Sequence, residues 1–268
     1  MKRRYILVLA VILAVAAATA IFARERSAKK KSEETPAGPL ALITEPDDGM
    51  APVIDMIRRA ARSVDLVIYE LDDPQIEAAL ADDAARGVAV RVILSAGYGG
   101  ASSTVNRPAY DFLRGHSVPV RWSPGYFSLT HEKALIVDGA RALIMTFNLV
   151  AKYYATGRDF GIVDGDVRDV AAIEDTFNDD WRGAAHETGM DAARGGNNGD
   201  QGDGLLWSPD SEDGLLGLIR SARHSLAIYN EEMADGDVTK ALIDAAPAAR
   251  SGRAAPAKRS SLRYLQAR

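Results

Sequence analysis

Two apolar runs with an amphipathic stretch between them, all within residues 64–94, leave this chain few ways to fold. Val64 to Leu71 reads as a buried strand ending at Glu70, and Val88 to Leu94 as a β-branched strand. Between them, Pro74 to Arg86 has helical spacing and Gly87 closes the helix. Strand, helix and strand in that order make the strands parallel neighbours with the helix packed on one face. The same alternation continues on both sides. Met50 to Ser63 carries Val53, Ile54, Ile57, Ala60 and Ala61 at helical spacing. After a loop from Ser95 to Thr104 come a short helix around Pro108 to Arg114 and a strand at Val118 to Trp122. Farther on lie a strand at Arg158 to Val163 and a helix at Val167 to Trp181. The expected class is α/β, a mixed sheet flanked by helices, with one complete domain over residues 40–190.

The segment Leu129 to Asn148, LTHEKALIVDGARALIMTFN, carries the chemistry. Ala134 to Val137 and Ala142 to Met145 are short apolar strands, and Asp138-Gly139 is a strong hairpin-turn signal. His131 and Lys133 flank the first strand two residues apart, so on extended backbone both face the same side. An imidazole can attack phosphorus when neutral or protonate a leaving oxygen when charged. A lysine, a hydroxyl and an amide can hold phosphoryl oxygens as charge builds on them. His131, Lys133, Asp138, Thr146 and Asn148 at these offsets arise by chance at a rate of order one in 100,000 per histidine. With four histidines in the chain, an accident does not explain them.

On these residues the chain resembles the phospholipase D superfamily, whose signature is His-x-Lys-x4-Asp-x6-Gly-Ser-x-Asn. The match is ungapped: Thr146 stands at the Ser position and Met145 replaces the Gly. A side chain at that point is expected to narrow the phosphate pocket or to force another backbone conformation. The resemblance implies a two-step, metal-free reaction with no cofactor: one His attacks the phosphodiester, a second protonates the leaving alcohol, and water or another alcohol then takes the phosphoryl group. It makes His131 the nucleophile and Lys133 and Asn148 the phosphate holders, with Thr146 as an additional donor. Asp138 is a structural or hydrogen-bonding member of the motif. Family members orient the nucleophile with a downstream Glu, and Asp159 occupies the comparable place.

The rest of the chain is organised around that domain. Lys2, Arg3 and Arg4 precede an uncharged apolar run from Tyr5 to Ala23, which reads as a signal peptide or membrane anchor, so the protein is expected to be exported. Residues 24–39 read as a tether and 191–204 as a Gly-rich linker. An internal repeat at an offset of 162 pairs Asp48 with Asp210, Ile57 with Ile219, Ser63 with Ser225, Glu70 with Glu232 and Asp73 with Asp235. It makes residues 205–246 a partial second copy. Residues 247–268, rich in Pro, Ser and Arg, read as a disordered tail. His224, in the expected helix of that copy, has no lysine two residues on, so the chain holds one motif where many relatives hold two.

If the single-motif chain is active, its second imidazole must come from a partner, most simply a homodimer. With a net charge of -5, no collective positive field attracts nucleic acid, and a phospholipid at a membrane surface is the expected substrate. An exported metal-independent nuclease and a truncated inactive member are the alternatives. Zero cysteine excludes disulfides, thiol chemistry and Cys-based zinc sites. Glu70 and Glu232 at strand ends, and Trp122, Tyr126 and Phe127 before the motif, are candidates to line the pocket mouth or to form an apolar rim. His116 and His186 lie in loop or helix-end contexts without spaced partners.

Overall fold

The structure, a computed structural model, describes residues 40–97, 103–184 and 205–246. The expected signal or anchor, the tether, the linker, the tail and His186 lie outside the described residues. The chain divides into two compact units, Met1–Gly195 and Gly196–Arg268.

The first unit is built on a seven-stranded mixed sheet. Its strands are β1 (Ala41–Glu45), β2 (Ser63–Ile68), β4 (Ala89–Leu94), β5 (Val120–Trp122), β6 (Lys133–Val137), β7 (Arg141–Met145) and β9 (Asp159–Asp164). Their spatial order is β1-β9-β7-β6-β2-β4-β5. As the strand-helix-strand reading requires, β2, β4 and β5 run parallel, whereas β6 pairs antiparallel with β2 and β7. Two short strands, β3 (Leu71–Asp72) and β8 (Leu149–Val150), form a separate parallel pair. Helices α1 (Ala51–Arg58), α2 (Pro74–Ala85) and α3 (Arg107–Gly115) supply Val53, Ile57, Ile76, Leu80 and Leu113 to the main core. There they meet Leu66, Ile68, Leu94, Leu135 and Leu143 from the sheet, and each of these side chains is almost wholly removed from water. Helix α4 (Val167–Gly183) lies against β2, β6 and β7, with Val170, Ile173 and Phe177 buried. Asp65 and Arg91, opposite each other on β2 and β4, form a two-bonded pair at 2.7 Å and 2.7 Å. The Arg91 guanidinium lies 4.9 Å from the centre of the Phe177 ring.

β1 was not read from the sequence. ALITE is short, and its partner β9 lies far along the chain, so its strand character comes from tertiary pairing. The β6–β7 turn is as expected. Asp138 and Gly139 have φ of +59° and +60°, the two left-handed residues of a type I′ hairpin turn. Trp122, a candidate rim residue, stacks at 4.5 Å on Tyr110 in the main core. His116 caps α3, with Nδ1 2.8 Å from the Phe112 carbonyl oxygen.

In the second unit, α5 (Glu212–Ser221) and α6 (Gly236–Ala245) stand where the repeat places counterparts of α1 and α2. Leu216, Ile219 and Ala241 form their small core. The strand expected between them is absent: residues 225–230 have no ladder partner, Tyr229 is exposed, and His224 lies past the end of α5 rather than within a helix. A strand needs neighbours for its N–H and C=O groups. The first copy has β4 and β6 for β2 to pair with, and the described part of the second copy has no equivalent. Glu232 therefore ends no strand. Among the described residues no helix is long and apolar enough to cross a membrane.

Candidate active site

Everything the motif contributes to chemistry gathers at one end of the sheet, because β6 starts where β2 and β7 end. Ile68 pairs with Lys133, and Ala134 with Ile144. These registers bring His131 and Lys133 beside Tyr69 on one side and Thr146 on the other. His131 is exposed, whereas Lys133 retains 6% of its surface. A buried ammonium needs partners, and the Lys133 Nζ has them. It donates to the His131 carbonyl oxygen at 2.8 Å and lies 3.3 Å from the His131 Nδ1 and 3.5 Å from Nε2. The cation thus rests against the imidazole. Protonating the ring would place two positive charges side by side, which favours the neutral, nucleophilic form.

Asn148 brings its amide to the same end, and its buried Oδ1 has no hydrogen-bond partner among the described residues. A buried amide atom left open inside a polar site is suited to a ligand. Thr146 is engaged differently from the expected phosphate donor. Its hydroxyl donates its one proton to the Asp159 Oδ1 at 2.7 Å and accepts from the Phe160 N–H at 2.9 Å. Asp159, expected to orient His131, is seen holding Thr146. Met145 alternates onto the same face as Leu143, stands opposite Lys133 in the β6–β7 register, is 6% exposed and packs into the main core.

Asp138 is not at this end. It lies beyond the far end of β6, at about 3.3 Å per residue roughly 16 Å from Lys133. Its carboxylate accepts from the backbone N–H groups of Ala61 (3.0 Å), Arg62 (2.6 Å) and Ser63 (3.0 Å). These contacts place it away from the reacting groups and tie the hairpin turn to the start of β2.

Three residues of the site were not singled out in the sequence. Tyr69 sets its ring 4.4 Å from that of His131 and 5.2 Å from the Lys133 Nζ. Asn106 is fully buried: its amide nitrogen donates to the carbonyls of Tyr69 (2.8 Å) and Ser95 (3.0 Å), and its oxygen accepts from the Leu71 N–H (2.9 Å). The Leu149 N–H donates to the Glu70 carbonyl at 3.1 Å, joining this stretch to the Asn148 side. The third is Glu132, between the two motif residues. Burial, with the nearby Asp180 carboxylate adding, raises its carboxyl to about 7. Asp180 is itself raised by burial, although the Tyr126 hydroxyl donates to it at 2.9 Å. Tyr126 thus packs against α4 instead of lining an open rim.

The Glu132 carboxyl holds its proton in the folded protein at pH values where the unfolded chain has ionised. Stability is therefore expected to fall as pH rises from 4.5, the ordinary value, to about 7. Glu132→Gln keeps the shape and cannot ionise. It should raise the thermal midpoint at pH 8, by as much as about 3 kcal/mol in stability, and leave it unchanged at pH 4.5. Thermal denaturation of both proteins at the two pH values checks this.

The family described as "Cardiolipin synthase, PLD-like domain" matches residues 53–181, a span that takes in α1, the whole hairpin and most of α4. Residues 53–181 form a phospholipase D-like domain. A curated relative, mitochondrial cardiolipin hydrolase from Xenopus tropicalis, is 30% identical over 138 residues, 51% of this chain. The match spans 62% of that relative's length. Among solved structures, the phospholipase D family member Nuc from Salmonella typhimurium superposes with a TM-score of 0.50 at 20% identity. It covers 55% of this chain and 95% of its own. That likeness is one of fold. In the phospholipase D signature, this chain supplies the imidazole, the ammonium and the amide at the open end of the sheet, and uses the signature's Asp as an anchor.

Proposed function

We propose that this chain hydrolyses phospholipids, or transfers their phosphatidyl group to an alcohol, through a phosphohistidine on His131. The observation that carries the reading is the Lys133 ammonium held against an exposed imidazole, with the Asn148 side chain, whose NH2 group is the donor, at the same end of the sheet. In the first step an imidazole nitrogen forms a bond to phosphorus and the bond to the leaving alcohol's oxygen breaks. That oxygen takes a proton from a second imidazole. Water then attacks the phosphohistidine, giving its proton back to the second ring as the P–N bond breaks. Lys133 and the Asn148 amide offset the charge that builds on the phosphoryl oxygens.

The motif supplies one imidazole per chain, so the second ring is proposed to come from a second copy in a two-fold dimer. A lipid substrate is supported by the name of the curated relative and the description of the family, both of which refer to cardiolipin. It is also supported by the net charge of -5, which gives no general attraction for nucleic acid. The basic and then apolar segment at residues 2–23 supports export to a membrane face.

Vesicles of cardiolipin or phosphatidylglycerol, incubated with the protein in excess EDTA, test this. Release of phosphatidate at a rate that EDTA leaves unchanged is expected, with plasmid DNA intact in a parallel reaction. Nicked plasmid with untouched lipid would replace the reading with a metal-independent nuclease. If neither substrate is cut, the chain is an inactive member of the superfamily.

A further inference from the structure

We infer that Tyr69 is a positioning residue which pins Lys133 beside His131 and so helps keep that imidazole neutral. Three observations carry this. The ring of Tyr69 touches both groups, with centres 4.4 Å from the His131 ring at an angle of 55° and 5.2 Å from the Lys133 Nζ. A lysine on a flexible four-carbon stem needs more than one contact to stay put. Here the aromatic face draws the ammonium from one side while the His131 carbonyl accepts its hydrogen bond at 2.8 Å from the other. The third is the mounting of Tyr69. Its carbonyl accepts from Asn106, whose three amide bonds hold Tyr69, Leu71 and Ser95 together, so the ring projects from fixed backbone just past the end of β2.

The consequence is electrostatic. An ammonium held next to an imidazole opposes proton uptake by the ring, and the opposition weakens as the ammonium wanders. Other ionisable groups about this end of the sheet include Glu70, next to Tyr69, Glu132, backed by Asp180 on α4, Asp159 at the start of β9, the buried Glu45 opposite it on β1, and Asp73, which accepts from the Tyr154 hydroxyl. None of them changes when Tyr69 is replaced. The catalytic consequence rests on the phosphodiesterase reading, whereas the titration of His131 does not.

The test is an NMR pH titration of the histidine ring signals in the full chain, with the His131 signal identified by its loss in His131→Asn. Tyr69→Leu is expected to move the His131 midpoint up by roughly half a pH unit or more. Tyr69→Phe, which keeps the ring, should leave it in place. In a Lys133→Met background the midpoint should already be raised, and adding Tyr69→Leu should move it no further. If the Leu variant does not fold, Tyr69→Met takes its place. The inference is overturned if the midpoint of the Leu or Met variant coincides with the unmodified chain, or if the shift persists undiminished without Lys133. A titration that behaves as expected in a protein that cuts no diester would uphold the role of Tyr69 and sink the phosphodiesterase reading alone.

Discussion

Replacing His131 with asparagine is expected to lower phosphodiester hydrolysis by about a thousandfold or more, because loss of a covalent nucleophile leaves only binding and charge stabilisation. Folding should be unaffected. The imidazole is exposed, and it fills no part of the main core. The measurement is initial rate on phospholipid vesicles beside a thermal unfolding curve for the same preparation. A variant that keeps more than about a tenth of the rate would remove His131 from the nucleophile role. An unfolded variant would show instead that the ring is structural, contrary to its position at the open end of the sheet. Asparagine suits the test because it keeps a polar side chain of similar reach without a ring nitrogen able to bond phosphorus.

The second large effect concerns stability. Asp138→Ala is expected to cost about 3 kcal/mol at pH 7, read as a lower urea midpoint with an unchanged slope. The carboxylate accepts from three consecutive backbone N–H groups, at Ala61, Arg62 and Ser63. Alanine would leave all three without their acceptor and would hold a φ of +59° without the local polar contact that eases it. Asp138→Asn keeps that conformational tolerance and one oxygen acceptor, so its cost should be about half. The pH dependence has a definite sign. Burial pushes the carboxyl up, but the N–H donors of Ser63, Ala61 and Arg62 and the Arg62 charge outweigh it and hold it below the usual range. A carboxyl depressed in the folded state contributes stability above its ordinary value of 3.8, and that contribution drains away as pH falls through the folded value. The gap between the unmodified chain and Asp138→Asn should therefore narrow in strong acid. If Asp138→Ala unfolds at the same urea concentration as the unmodified chain, the anchor is refuted.

Local pattern made much of this molecule legible. The spacing of His131, Lys133, Thr146 and Asn148 marked the hairpin, and Asp138-Gly139 marked its turn, because a type I′ turn and period-two alternation are written in adjacent residues. The parallel β2–β4 pair followed from one helix between two β-branched runs. What escaped was tertiary. β1 becomes a strand only beside β9, and Tyr69 joins the site only because Ile68 pairs with Lys133. The role of Asn106 depends on three backbone groups that its own neighbourhood does not reveal. Thr146 is expected from the motif to donate to phosphate, and the sequence does not reveal that its hydroxyl donates to Asp159 instead. The second copy misled in the opposite direction. Its residues match those of β2, but a strand's identity depends on the strands beside it, and residues 225–230 pair with no strand among the described residues.

Strand β6 holds its chemical groups at one tip and its carboxylate anchor at the other. Substitutions so far apart combine almost independently. Heat tolerance and turnover could then be selected in separate rounds without one undoing the other, and a variant hardened around Ala61–Ser63 would be a ready host for redesigning which diester is accepted.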